Sequence, residues 1–282
     1  MTVRNSGAVA LPGVDQTAGP RPADGAPDVL AWHVEAAQRA YGRIRYGSEF
    51  WIGSGRVVLN PDLPLPDCNF ASSISGTPGS ALATVRRLPE IWAEAGLSPV
   101  TLVDSPSSLP ELSALVEDVG FVAEEESSVV LLERPEGLMD REPGILTRPV
   151  RDGEEAAVAA LLAEVGDHSG HVERALRRLI GHRLDDPRVV AFAASQRDAL
   201  AGVAFGFAPA GGLALVTAVA VLPAYRRRGF GRALVSAVGN ACRTRGAQPV
   251  AAIVDASYRT ERWWVDLGFD TAYETVTYSC PA

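Results

Sequence analysis

The 282-residue chain reads as an α/β protein in two lobes. Three observations predict this. Short β-branched runs alternate with segments of helical periodicity. A stretch at 134–144 with Pro135, Pro143 and several charges divides two such series and reads as a linker. The halves also echo each other: Pro99 to Phe121 runs strand, Val103-Asp104, helix, Gly120-Phe121, and Pro249 to Phe269 runs strand, Val254-Asp255, helix, Gly268-Phe269.

In the first lobe, 28–133, residues 28–41 read as a helix stopped by Gly42. Residues 49–52 and 57–59 alternate as strands about a Gly53-Ser54-Gly55 turn, and Pro61, Pro64 and Pro66 force an extended loop. Residues 69–74 suit a third strand. A helix over 82–95 stops at Gly96; a strand at 100–104, a helix at 109–119 and a strand near 128–132 follow. The first 27 residues, rich in Gly, Pro, Ala and Asp, read as a disordered leader.

The second lobe, 145–282, opens with a strand at 145–150, a helix at 154–165, a polar loop at 166–170 and a helix at 171–184. Residues 189–194 and 200–207 form a hairpin. After Gly211-Gly212 comes a β-branched strand, 213–221. A helix from Gly229 to about Arg245 places Phe230, Ala233, Leu234, Ala237, Val238, Ala241 and Cys242 on one face. Cys242 is therefore a packed, inert thiol. A strand at 250–254, a helix at 259–267 and a strand at 273–278 close the lobe.

Composition excludes several functions. The net charge is −8 and every basic residue is Arg, so broad nucleic-acid binding and lysine Schiff-base chemistry are not expected. No run approaches the ~18 apolar residues of a membrane helix, and no secretory signal opens the chain, so a cytoplasmic protein without a membrane partner is expected. Three scattered cysteines, Cys68, Cys242 and Cys280, suit reduced thiols, and no metal-ligand spacing is present.

The segment from Val219-Ala220-Val221 through Pro223 to Arg226-Arg227-Arg228-Gly229-Phe230-Gly231-Arg232 carries the chemistry. A strand ends at a proline, a basic turn follows, and a helix starts at two glycines. Free N–H groups and the positive dipole end of a helix attract phosphate. Glycines let the backbone approach a ligand, and arginines add forked donors. The plain alternative is an exposed basic turn capping a helix. Neither a P-loop nor a dinucleotide fingerprint is present.

This segment resembles the coenzyme A-binding motif [RQ]xxGx[GA] of the GCN5-related N-acetyltransferase (GNAT) family, with Arg226, Gly229 and Gly231 in the matching places. The resemblance covers 145–282 in element order. Residues 28–133 resemble a degenerate copy, as in tandem members, without such a turn; Ser75 to Ser80 is the nearest candidate and has no arginine. The resemblance implies two α+β lobes, each a mixed, mostly antiparallel sheet flanked by helices. It also implies acetyl-CoA, or another acyl-CoA, as co-substrate and transfer to the amine of a small molecule. Backbone groups of Val219, Ala220 and Val221 would pair with the pantetheine arm, and Arg226 to Arg232 and Ser257 would line the coenzyme. Homodimerisation is left open.

Downstream, Leu267-Gly268-Phe269 matches the family, but Ser257 stands at its Asn position and Trp264 at the Tyr position of its general acid. Three readings stay open. The thiolate leaves unaided, since a thiol pKa is near ~8.5. Tyr258 or Ser257 substitutes. Or the domain binds acyl-CoA without transfer, as a sensor; other acyl-thioester chemistry is a further rival. No strand glutamate offers a general base; Thr217 is the one polar side chain on 213–221. Asp167, His168, Ser169, His171 and Glu173 form the richest polar cluster, and His168 or His171 could relay a proton. The plain alternative there is a surface loop with a helix cap. Asp255 reads as a turn-former or cap. Trp263, Trp264, Tyr258 and Phe230 line an acceptor pocket or belong to the core.

Overall fold

A computed structural model describes residues 28–43, 47–133, 145–166, 171–196 and 199–281. The expected leader and linker lie outside them. The chain forms two compact units: one holds 42–124 with 277–282, the other 125–276 with 33–41.

The first unit contains β1 (Ser48–Ile52), β2 (Gly55–Leu59), β3 (Phe70–Ser72) and β4 (Val100–Asp104), in that spatial order. β1–β2 and β2–β3 pair antiparallel, and β3–β4 pair parallel through Ala71 and Leu102. Helix α2 (Pro78–Glu94) connects β3 to β4, and α3 (Leu112–Glu117) follows. Helix α3 is shorter than the expected 109–119.

In the second unit the order is β11 (Asp270–Cys280), β5 (Val122–Leu132), β10 (Val250–Asp255), β9 (Ala214–Val221), β8 (Ala199–Phe207), β7 (Val189–Gln196) and β6 (Leu146–Pro149). Every pair from β5 to β6 is antiparallel except β10–β9. Strand pairing within each unit is thus mixed and mostly antiparallel, as expected. β5 begins six residues before the expected strand. Its first part, Val122 to Glu126, is acidic and exposed, so composition reads as loop where strand pairing continues.

Helix α1 (Asp28–Gly42) spans the predicted range, but residues 33–41 belong to the second unit. There Glu35 and Arg39 are buried as an ion pair at 3.4 Å. Helices α4 (Glu155–Val165) and α5 (His171–Leu184) pack against each other, and α6 (Phe230–Thr244) lies against β7, β8 and β9. The apolar face expected of α6 is its core face: Phe230, Leu234, Val238 and Cys242 are buried with Val216, Val250 and Phe269. Gly206 on β8 permits this contact, because a Cβ there would stand 2.5 Å from Val238 Cγ1. The expected helix at 259–267 is the shorter α7 (Glu261–Asp266), preceded by a 3-10 turn, Ala256–Tyr258, with Arg259 between them at φ 51°. All three cysteines are free and buried, and burial pushes the Cys242 thiol up to about 12.

The internal echo extends to individual hydrogen bonds. After α2, Ala95, Gly96 and Leu97 N–H groups donate to Ile91, Ala93 and Trp92 carbonyls; after α6, Arg245, Gly246 and Ala247 donate to Ala241, Arg243 and Cys242. Gly120 and Phe121 donate to Glu117 and Val116, as Gly268 and Phe269 donate to Val265 and Trp264. Cis peptide bonds precede Pro99 and Pro249 alike.

Candidate functional site

Two features of the second unit meet at the end of β9. The first is a splay. β9 and β10 pair parallel at Ala214–Val250, Leu215–Ala251 and Val216–Ala252, and the pairing ends there. From Thr217 to Val221 the β10-facing edge of β9 has no strand partner among the described residues. On the other side β9 stays bound to β8, with a bulge at Thr217: Phe205 faces Ala218 and Gly206 faces Val216. An extra residue bends the strand locally, so Thr217 marks where β9 departs from β10.

The second feature is the turn after β9. A 3-10 turn, Pro223–Tyr225, leads to Arg226 in extended conformation, Arg227 at φ 62° and Gly229 at φ 84°. Positive φ is costly for arginine and cheap for glycine. Left-handed residues within a turn tilt successive N–H groups into a concavity of the kind that binds anions. Gly229 is the N-cap of α6, and no side chain caps that terminus. Phe230 anchors the first helical turn edge-on to Tyr225, with centroids 5.5 Å apart.

The arginines divide by role. Arg226 Nε donates to the Val221 carbonyl at 3.1 Å, tying the turn to the strand end. Arg228 donates to Gln196 Oε1 at 2.9 Å and lies over the Tyr225 and Phe230 rings. Arg232 donates to the Asp266 carbonyl at 3.3 Å, joining α6 to α7. Arg227 is exposed and has no hydrogen bond or ion pair among the described residues. A Cβ on Gly231 would stand 3.0 Å from Trp263 Cζ2, so this glycine also permits the approach of α7.

Val219, Ala220, Val221 and Arg226 to Arg232 are thus brought together around one strand end. Ser257 and Tyr258 stand on the turn that ends β10, the other arm of the splay, and both are exposed; Tyr258 is 67% accessible. Ser257 N–H donates to Asp255 Oδ1 at 2.7 Å, so Asp255 is the cap expected of it. Trp264 is buried, edge-on to Phe269 and to Trp263, which places it in the core rather than in an acceptor pocket. His168, Asp167 and Ser169 lie outside the described residues. Among the described residues no helix is long and apolar enough to cross a membrane, and no cluster suited to a metal ion occurs.

One polar group at the splay was not anticipated. Thr217 Oγ1 donates to the Tyr41 hydroxyl at 2.8 Å. Tyr41 is buried, tilted against Phe207 with centroids 5.7 Å apart, and the buried Arg183 guanidinium carbon lies 3.9 Å from its ring centroid. Tyr273 has a buried hydroxyl without a hydrogen-bond partner among the described residues, and burial, then the charge of Glu35, raises its phenol well above the usual value. Tyr41 is 176 residues from Thr217, and no local pattern links them.

Residues 154–269 match the model of the Acetyltransferase (GNAT) family. No curated protein matches the chain. Solved structures do. A GCN5-related N-acetyltransferase from Kribbella flavida aligns with TM-score 0.69 and 16% identity, over 92% of this chain and 97% of its own. One from Sphaerobacter thermophilus aligns with TM-score 0.62 and 22% identity, over 93% and 94%. A tandem GNAT protein from the clavulanic acid biosynthesis pathway aligns with TM-score 0.60 and 16% identity, over 86% and 87%. These likenesses concern the fold, and the family match concerns the segment that carries the splay and the arginine turn. The family match thus covers residues 154–269, and the solved structures are similar to the chain in fold over most of its length.

Proposed function

We propose that the protein is an acyl-CoA-dependent N-acyltransferase that moves an acetyl group from acetyl-CoA to the amine of a small molecule. The observation that carries this is the uncapped, glycine-started N-terminus of α6 placed directly after a strand whose outer edge opens at Thr217. The diphosphate binds at the N–H groups of the first turn of α6 with Arg227 beside it. The pantetheine arm extends along the open edge of Val219, Ala220 and Val221. Strand geometry makes the four steps from Val221 back to Thr217 about 13 Å, a length an extended pantetheine arm spans, so the thioester reaches the bulge. Backbone N–H groups on that edge polarise its carbonyl. Ser257 on the opposite arm contacts the coenzyme.

Binding without transfer is the second reading, favoured by Trp264, which is buried in the core where the family's motif has a tyrosine. Calorimetry with acetyl-CoA, run beside thiol release over a panel of primary amines, separates the two. Binding with release supports transfer; binding with no release across a broad panel supports a sensor. No binding sinks both.

A further inference from the structure

β9 and β10 part after Val216 and Ala252, although both strands continue, β9 to Val221 and β10 to Asp255. Further parallel pairing would satisfy the open backbone groups of both arms, so something holds each arm away from the other. On β9 it is the bulge at Thr217. On β10 it is β5, which pairs with all six residues of that strand, from Leu132–Val250 to Ser127–Asp255, where β9 pairs with three.

β5 has a second hold on this region. The hydroxyl of buried Ser128 donates to Glu261 Oε1 at 3.2 Å, and Glu261 is the first residue of α7. The other end of α7 is tied to the first turn of α6, where Arg232 donates to the Asp266 carbonyl at 3.3 Å. Between these ties Trp263 lies against Gly231. A short helix is thus anchored at one end on β5 and at the other on the start of α6.

We propose that Ser128 and Glu261 are positioning residues for the coenzyme site, an inference that rests on the acyl-CoA reading above. Their hydrogen bond joins α7 to the strand that holds β10. The open arm of β10 and the helix start that receives the diphosphate are thereby kept at a fixed spacing. The bond is charge-assisted and part-buried, which makes it stronger than a bond between neutral groups. It acts on the coenzyme through α7, Gly231 and Arg232, not by contact.

Calorimetry with acetyl-CoA on the full chain tests this. Ser128→Ala should weaken binding by about fivefold, as should Glu261→Ala, the effect of one lost hydrogen bond. The double variant should be no weaker than either single one, because both remove the same bond. Glu261→Gln keeps an acceptor oxygen and should bind within about twofold of wild type. A bond that only stabilises the fold would lower the melting temperature of both alanine variants and leave their acetyl-CoA affinity at the wild-type value. That result, or losses that multiply in the double variant, overturns the proposal while coenzyme binding stands. A loss in Glu261→Gln equal to that in Glu261→Ala traces the effect to charge and overturns it too. If the wild type itself binds no acetyl-CoA, the coenzyme reading fails and this role with it.

Discussion

Within the arginine triplet the side chains have different duties, and substitution should separate them. Arg226 and Arg228 hold the turn to Val221 and Gln196, whereas Arg227 has no partner among the described residues. Arg227→Ala should therefore weaken acetyl-CoA binding by about tenfold, equivalent to about 1.4 kcal/mol, and leave the melting temperature unchanged. Calorimetry at two salt concentrations checks this, since an exposed phosphate contact is screened by salt. Equal affinity would remove Arg227 from the coenzyme site. Gly231 is a less clean probe: any side chain there meets Trp263 before it meets a ligand, so lost binding would mix steric exclusion with disturbed packing of α6 on α7.

At the scale of elements, β6 and α4 are joined at the start of the second unit by a two-pronged pair. Arg148 donates to Glu154 at 2.6 and 2.8 Å, and Arg151 N–H donates to the same carboxylate at 2.8 Å. The hydrogen bonds from Arg148, then that from Arg151, lower the Glu154 carboxyl from 4.5 to about 2. A depressed carboxyl stabilises the fold above its unfolded value and loses that contribution as pH falls through its folded value. Stability should thus decline between about pH 4.5 and about pH 2 by no more than about 1 kcal/mol, because the pair is partly exposed. In Glu154→Gln this part of the decline should vanish from urea titrations over that range; an unaltered slope would show that the pair does not set it. Local elements such as α6 and β9 were legible in the sequence because each carries its own signal: β-branched run, proline, glycines, apolar face. The free backbone edge at Val219, Ala220 and Val221 was expected only from the family resemblance, since it depends on where two strands stop pairing. The hydrogen bond from Thr217 to Tyr41 was illegible, because it joins residues 176 positions apart in the chain. The shortening of α3 and of α7 falls at helix ends, where a turn and a helix share one composition.

At the scale of the whole chain, the two units repeat one plan with one difference, which bears on the proposed coenzyme site. β3, α2, β4 and α3 stand in the first unit as β9, α6, β10 and α7 do in the second, down to matching carbonyl bonds after both connecting helices. The helix starts are not equivalent. The N-terminus of α2 is closed by the protein itself: Thr77 accepts from Ser80 N–H, the Thr77 N–H donates to Ser80 Oγ at 3.0 Å, and Pro78 supplies no donor. No arginine precedes it. A capping box satisfies the donors that a phosphate would need, and a ligand would have to break it without gaining a cation. The start of α6 has a glycine cap, no side-chain bond and three arginines before it. The proposed coenzyme site therefore occurs once, and titration of the full chain should give about one acetyl-CoA bound per chain, with Thr77→Ala lowering stability by about 1 kcal/mol and leaving that stoichiometry unchanged. Two equivalents bound, or loss of one on Thr77→Ala, would show that the first unit retains a site its capping box does not block.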